Sequence, residues 1–363
     1  MESSDKEIFD CVGDLMVALL NSMTIMETKK EKPGLRYSSE FKEQLVNSRK
    51  NLEASDRKLR NMPVPRELGP LKTRLLEIVT LCLQGPGILP ESSDEDHLQN
   101  DGLDFYFRAL EKLYPLGNIF RPVSQFFLEK EKHDDFFLMQ SLSRETPEFS
   151  ERGIHHRNNS PDQRGGFSFY VPENKDKNST LPLVVALHGG GGHGANYLWN
   201  WLKEARSRGF LLICPTSIGG TWSLEDVHGD LVNIKKAMGY IKRRFKVKTD
   251  KILLTGMSDG ASYTMLAGLR KDSLFTHLAP FSGIFPATLD NYNTEKIDHG
   301  KPVYLVHGTE DMVFPIETAF MTKSELESIG AKVTFKQIQG LRHSYARDEH
   351  ASLLKWFDSE LEI

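Results

Sequence analysis

Cysteine is scarce in this 363-residue chain, which holds only Cys11, Cys82 and Cys214, far apart along it. Such spacing offers no disulfide framework, and no C-x-x-C pair is present to hold zinc. Cys214 lies in an apolar run and reads as an inert core thiol. Excess positive charge is also missing. The 46 Lys and Arg stand against 50 Asp and Glu, a formal net charge of −4, which argues against a nucleic-acid partner bound through its phosphates. The densest basic run, Lys242 to Lys246, reads as the solvated end of a helix. No unbroken apolar run reaches the ~18 residues of a membrane span, and the start, Met1-Glu2-Ser3-Ser4-Asp5, lacks the basic segment of a signal peptide. The expectation is a soluble, cytoplasmic protein with no membrane span and no nucleic-acid partner. No internal repeat is evident.

What is present divides the chain. Its length suits one large domain with a smaller one, and 39% hydrophobic residues can build a sizeable core. Residues 1–150 read as helical. Ile8, Cys11, Val12, Leu15, Leu19 and Met23 recur at three- and four-residue steps. Ser39 to Asn61, Leu71 to Leu83, Asp104 to Tyr114 and Pro122 to Ser143 follow as further helices. Gly85-Pro86-Gly87 ends the third, and acidic, polar Glu91 to Asp101 reads as a loop or disordered bridge. These helices carry no catalytic constellation. They are expected to be a packing or oligomerisation domain, through which the chain could form a homo-oligomer, or a cap over a site. Residues 151–165 read as a polar linker. Its His155 and His156 are expected in an exposed loop, since no carboxylate or cysteine stands at a metal-ligand spacing.

Residues 166–363 have another texture. Phe167 to Val171, Pro182 to Leu187, Phe210 to Cys214, Lys251 to Leu254, His277 to Phe281, Pro302 to Val306 and Lys332 to Ile338 read as strands. Helices are expected over Asp230 to Phe245, after Gly260, near Ile316 to Ile329 and over Glu349 to Leu361. The alternation predicts an α/β domain with a mostly parallel sheet covered by helices. Ligands of such sheets sit beyond the carboxyl ends of the strands.

Three of those strand ends carry chemistry. Gly256-Met257-Ser258-Asp259-Gly260 joins an apolar strand to a helix, and the glycines remove side chains that would clash at so sharp a turn. Ser258 is the candidate nucleophile, and a serine needs a base to remove its proton. Asp311, in the loop after Val306-His307-Gly308, is the candidate acid, with Glu310 as its competitor. His343, in Gly340-Leu341-Arg342-His343-Ser344, is the candidate base. Chain order is nucleophile, acid, histidine. The loop His188-Gly189-Gly190-Gly191-Gly192-His193-Gly194 follows a fourth strand. Backbone N–H groups near Gly189 and Gly190, with that of Asp259, are candidates for stabilising an oxyanion. The same loop formally matches G-x-G-x-x-G at Gly189, Gly191 and Gly194. A dinucleotide site would need an acidic residue ending the next strand, where Ile213-Cys214-Pro215-Thr216 stands instead. Trp222, Met257, Phe285, Met312 and Phe314 are candidates for lining a substrate pocket.

These strings resemble the α/β-hydrolase superfamily, in particular its phospholipase/carboxylesterase-like and polyhydroxybutyrate depolymerase/feruloyl esterase-like branches. The similarity lies in Leu187-His188-Gly189-Gly190, Gly256 to Gly260, His307 to Asp311 and His343-Ser344, and extends over Trp222 to Phe245. It covers about residues 165 to 363; residues 1–150 resemble no such family. The resemblance implies an α/β-hydrolase fold and serine hydrolysis of carboxylic esters through an acyl-enzyme, with no metal or cofactor. Short or medium acyl or aryl esters are the expected small-molecule substrates, since no interfacial amphipathic helix stands out. A peptidase or amidase of the same fold, and a non-catalytic interaction protein with a vestigial triad, remain as alternatives.

Overall fold

The computed structural model describes residues 3–31, 38–85, 95–143, 151–176, 178–285 and 297–362. The chain divides into two compact units, Met1–Phe127 and Leu128–Ile363. The division falls upstream of residue 150, so residues 128–142 count with the second unit.

The first unit is helical: α1 (Ser3–Glu31), α2 (Ser39–Asn61), α3 (Gly69–Gln84), α4 (Glu95–Leu113) and α5 (Arg121–Phe126). Their apolar stripes meet in a common interior that includes Leu15, Leu19, Leu52, Ile78, Ala109 and Leu113. Ser38 caps α2, its hydroxyl accepting from the Phe41 N–H. Part of the stretch expected as a loop, Glu91 to Asp101, is instead the start of α4; its first four residues lie outside the described residues, as do Pro86 and Gly87. Among the described residues one helix, α1 over Asp5–Lys29, is long and apolar enough to cross a membrane by length and composition. The sequence expectation counted unbroken apolar residues, whereas the average over a window tolerates scattered charges. The same helix buries Cys11, Leu15, Leu19 and Met23 and packs on α2.

The helix expected over Pro122 to Ser143 is broken. Beyond α5, a 3₁₀ turn at Lys130–Lys132 precedes α6 (Phe136–Leu142). Asp135 starts α6 afresh, its side chain accepting from the Leu138 N–H at 3.0 Å. Leu138 is buried, while Phe136 and Phe137 are exposed.

The second unit is built on one eight-stranded sheet: β1 (Gly153–Arg157), β2 (Phe167–Val171), β3 (Thr180–Leu187), β4 (Leu211–Pro215), β5 (Lys246–Met257), β6 (His277–Phe281), β7 (Pro302–Gly308) and β8 (Lys332–Ile338). Its order is β1-β2-β4-β3-β5-β6-β7-β8. The six strands from β4 to β8 are parallel, and β2 runs against them, pairing antiparallel with β4 on one side and with the edge strand β1 on the other. The helices between are α7 (Gly194–Tyr197), α8 (Leu202–Arg208), α9 (Val227–Lys242), α10 (Asp259–Gly268), α11 (Ile316–Ser328) and α12 (His350–Phe357). One continuous core joins Val185, Ile213 and Leu254 of the strands to Ile234 and Met238 of α9 and Tyr263 of α10. All three cysteines are free and buried. Burial pushes the Cys82 thiol up to about 12 and raises Cys214 well above its ordinary value.

Strand β1 corrects the linker expectation. Residues 153–157 hydrogen-bond along β2, and His155 stacks on Phe169 with ring centroids 5.1 Å apart. An edge strand keeps one side in water, so a polar sequence is compatible with it and gives little alternation to read. The residues after β1 are tied inward as well. Asn159, 3% exposed, donates through Nδ2 to the Ser168 hydroxyl at 2.7 Å and accepts from the Thr216 hydroxyl at 2.6 Å. The Thr216 oxygen in turn accepts from the Gly194 N–H at 2.9 Å.

Replacing Asn159 by Ala removes the acceptor of the buried Thr216 hydroxyl and one of the two partners of the Ser168 hydroxyl, which keeps His156. Asn159→Ala should lower the unfolding free energy by about 2 kcal/mol, measured as a shift of the urea midpoint at unchanged slope. An unchanged midpoint would show that this chain of bonds contributes nothing net.

Candidate active site

Ser258 sits at the junction of β5 and α10 with φ 54° and ψ −119°, a region that non-glycine residues rarely adopt. The surroundings enforce it. Ser258 donates its N–H to the Phe281 carbonyl at 2.9 Å, and its own carbonyl accepts from Ala261 and Ser262. A β-carbon on Gly256 would lie 2.4 Å from the Gly260 oxygen, and one on Gly260 would lie 2.4 Å from the His188 oxygen. Neither position tolerates a side chain, so strand, helix and the preceding loop close on the turn and the hydroxyl projects from it.

The loops after β7 and β8 deliver the other two groups. His343 Nε2 is 3.0 Å from the Ser258 hydroxyl, and its Nδ1 is 2.8 Å from Asp311 Oδ2. The second Asp311 oxygen accepts from the Val313 and Phe314 N–H groups at 2.9 and 2.8 Å. The carboxyl group is fully buried, and these donors offset the cost of holding it there. His307, also buried, lies behind it with Nε2 3.5 Å from Oδ2, and that nitrogen donates to the Phe314 carbonyl at 2.7 Å. Glu310, the competing acid, is exposed. The two loops are stitched together: Glu310 donates its N–H to the Leu341 carbonyl at 2.9 Å, and Gly340 donates to the Thr309 hydroxyl at 2.9 Å. Two residues after His343, the Tyr345 hydroxyl is 2.8 Å from His350 Nε2 at the start of α12.

The glycine loop faces the nucleophile. A β-carbon on Gly189 would lie 3.7 Å from that of Ser258, and one on Gly190 would lie 2.8 Å from Asp259 Oδ2. As the first residue of α10, Asp259 has no intrahelical acceptor for its N–H. Its carboxylate is held by the Thr221 hydroxyl at 2.6 Å. His188 orients the loop. Its Nε2 accepts from the Ser217 N–H at 3.1 Å, which puts the ring proton on Nδ1, 2.7 Å from the Gly189 carbonyl. The same carbonyl accepts from the Gly192 N–H at 3.0 Å. In a trans peptide N–H and C=O point in opposite directions, so tying down the Gly189 oxygen turns the Gly190 N–H the other way.

Of the pocket candidates, Phe314 touches the site, its ring edge-on to His343 with centroids 5.4 Å apart. Met257 and Phe285 are half-buried, and Phe285 packs against the main core. Met312 is 85% exposed. Trp222 differs from expectation. It is buried beside Tyr263, and its indole N–H donates to the His188 carbonyl at 2.7 Å, so it anchors the glycine loop from the core. Sequence reasoning assigned no role to His188 itself, although a histidine ending a buried strand is a signal of a polar group with fixed partners. Among the described residues no group of His, Cys, Asp and Glu could hold a metal ion. A groove of about 510 Å³ lies in the first unit, lined by Arg60, Leu76, Glu77, Arg108 and Lys112 among others, and holds none of the predicted site residues.

A sequence profile of the phospholipase/carboxylesterase family matches residues 170–359. Acyl-protein thioesterase 1 of Candida albicans is 22% identical over 219 residues, covering 51% of this chain and 94% of that protein. A bifunctional acetylxylan esterase/xylanase of Neocallimastix patriciarum is 28% identical over 149 residues, which are 40% of this chain. The match covers 21% of that relative's own length. Among solved structures, an acetyl xylan esterase from Aspergillus awamori is 18% identical, with a TM-score of 0.46 over 56% of this chain and 98% of that one.

His188 also makes stability depend on pH. Burial pushes its imidazole down from 6.5 to about 4; nearby Arg164 and His193 add to the shift and the bond to Gly189 opposes it. In the unfolded chain the ring gains its proton near 6.5. The neutral native ring therefore contributes fully above that pH, and the contribution is lost as pH falls toward 4. At most this amounts to about 3 kcal/mol. Between about pH 7 and pH 4.5 the urea midpoint of His188→Gln should fall less than that of the wild type. Equal falls in the two proteins would assign the acid sensitivity elsewhere.

Proposed function

The chain belongs to the phospholipase/carboxylesterase family, hydrolases of esterase and thioesterase type, and from that premise we propose that it is a serine carboxylesterase working through an acyl-enzyme. The observation that carries this reading is the unbroken series Ser258 hydroxyl, His343 imidazole, Asp311 carboxylate, linked at 3.0 and 2.8 Å. Ser258 Oγ attacks the ester carbonyl as His343 Nε2 takes its proton. Asp311 holds the Nδ1–H tautomer and stabilises the imidazolium. The carbonyl oxygen, now negative, faces the N–H groups of Gly190 and Asp259, with Gly189 shaping the loop. His343 then protonates the departing alcohol, and the acyl-enzyme is hydrolysed when His343 activates water in the same way. The strained Ser258 backbone and the α10 N-terminus hold nucleophile and oxyanion donor in fixed relation before substrate arrives.

The substrates we infer are short or medium acyl and aryl esters. This reading is supported by the Phe314 ring, which stands edge-on to His343 and occupies space beside the imidazole. A second substrate class is supported by the thioesterase relatives. A thiol leaves readily as an anion, having a pKa near 8.5, so the same residues suffice for a thioester.

In an ester assay, Ser258→Ala should lose on the order of 10³-fold or more of the rate, and a fluorophosphonate should label the wild type once per chain and leave the variant unlabelled. Equal rates in the two proteins would reject the assignment. Across a series of p-nitrophenyl esters the wild-type optimum should fall at short or medium chains, and Phe314→Ala should move it to longer ones. A wild-type optimum at twelve carbons or more would contradict the substrate class. Faster cleavage of an anilide than of the ester with the same acyl group would favour an amidase instead.

A further inference from the structure

The glycine loop that would hold the oxyanion has no side chains of its own to pin it between His188 and His193, and glycine backbone is the most costly to keep in one conformation. Something outside the loop must hold it for its N–H groups to be aimed in advance. The connection between β1 and β2 lies against it. Gln163 accepts at its carbonyl from His193 Nε2 at 2.9 Å. Arg164 reaches further. Its Nε donates to the Ser217 carbonyl at 3.1 Å, and its Nη2 meets the Ser217 hydroxyl at 2.6 Å, the Gly192 carbonyl at 3.1 Å and the Gly220 carbonyl at 3.4 Å. Gly220 also accepts from the Gly191 N–H at 3.1 Å. One planar group thus grips both the glycine loop and the 217–220 loop that His188 leans on.

We propose that Arg164 is a positioning residue for ester hydrolysis, a clamp that fixes the glycine loop with the Gly190 N–H turned toward Ser258. The inference rests on the esterase reading above. The path is short. Arg164 holds the Gly192 carbonyl, the Gly192 N–H holds the Gly189 carbonyl, and that carbonyl sets the direction of the next N–H. The bonds leave from two nitrogens of one rigid plane, Nε and Nη2, which the single nitrogen of a lysine on its flexible stem does not reproduce. Arg164 touches neither Ser258 nor His343 through any of these bonds, so its loss should act on the transition state alone.

The test compares wild type with Arg164→Gln, Arg164→Lys and Arg164→Ala on a short p-nitrophenyl ester, alongside the affinity of a boronic acid that forms a tetrahedral adduct on serine. Loss of a direct oxyanion donor costs about 10²- to 10³-fold, and a clamp one step removed should cost less. The expected result is a fall in kcat of about 10- to 100-fold in Arg164→Gln, with KM changed by less than about threefold. Boronic-acid affinity should fall by the same factor as kcat/KM, Arg164→Lys should recover little, and added guanidinium ion should partly restore Arg164→Ala. A folded Arg164→Gln with unchanged kcat, or a lowered kcat with unchanged boronic-acid affinity, overturns the clamp. Full recovery by lysine overturns the fork. A wild type that neither cleaves esters nor takes up a fluorophosphonate overturns the esterase reading, and the clamp with it.

Discussion

The geometry of the second unit depends on the backbone of one residue. Ser258 is held at φ 54° by a strand that cannot bend, a helix that begins at once, and a neighbouring loop pressed against both. A conformation of this kind costs on the order of 1–3 kcal/mol, and it persists because contacts on every side leave no relaxed alternative. The Phe281 carbonyl of the adjacent strand takes the Ser258 N–H, and the His188 oxygen fills the space a side chain at residue 260 would need. The same packing that strains the turn aims its hydroxyl and exposes the first N–H groups of α10.

Around that turn, four strand-end loops secure one another with few charges. The Asp311 and His343 loops exchange backbone and hydroxyl hydrogen bonds, and the glycine loop is held by a neutral histidine, an indole N–H and a guanidinium. These partners lie on segments far apart in sequence. A buried carboxylate such as Asp311 is tolerable in this setting because donors surround it, including two amides of its own loop. Order in the site therefore comes from saturated hydrogen bonding at the sheet's carboxyl edge, with the parallel strands as the rigid base.

Much of this was legible in residue pattern. Continuous apolar runs such as Val184 to Leu187 mark strands buried on both faces, and punctuation by Gly256, Gly260 and Gly308 marks where they turn. Chemistry-bearing residues sat just beyond those runs, which is why Ser258, Asp311 and His343 could be named together. Other elements had no such signal. Edge strand β1 is written in histidine and arginine and gains its order from Phe169 and Ser168 of the strand beside it. The start of α4 is written in polar residues with no apolar stripe to mark a helix, and α6 depends on a cap at Asp135 within a run that reads as one helix. Trp222 looked like a pocket wall because aromatic residues near a site serve equally as lining or as core; only its indole bond to His188 separates the two.

The amino-acid sequence by itself determined the class of sheet, the strand ends and the kinds of side chain placed there, because burial period and glycine punctuation are local properties. The tertiary structure decided which carboxylate meets the imidazole, which way the Gly189–Gly190 peptide faces and what grips that loop. Those outcomes turn on hydrogen bonds between residues such as Arg164 and Gly192 or His188 and Ser217, whose partners are set by where the folded chain brings them. No periodicity records a contact of that kind, since its free energy exists only once both loops are in place.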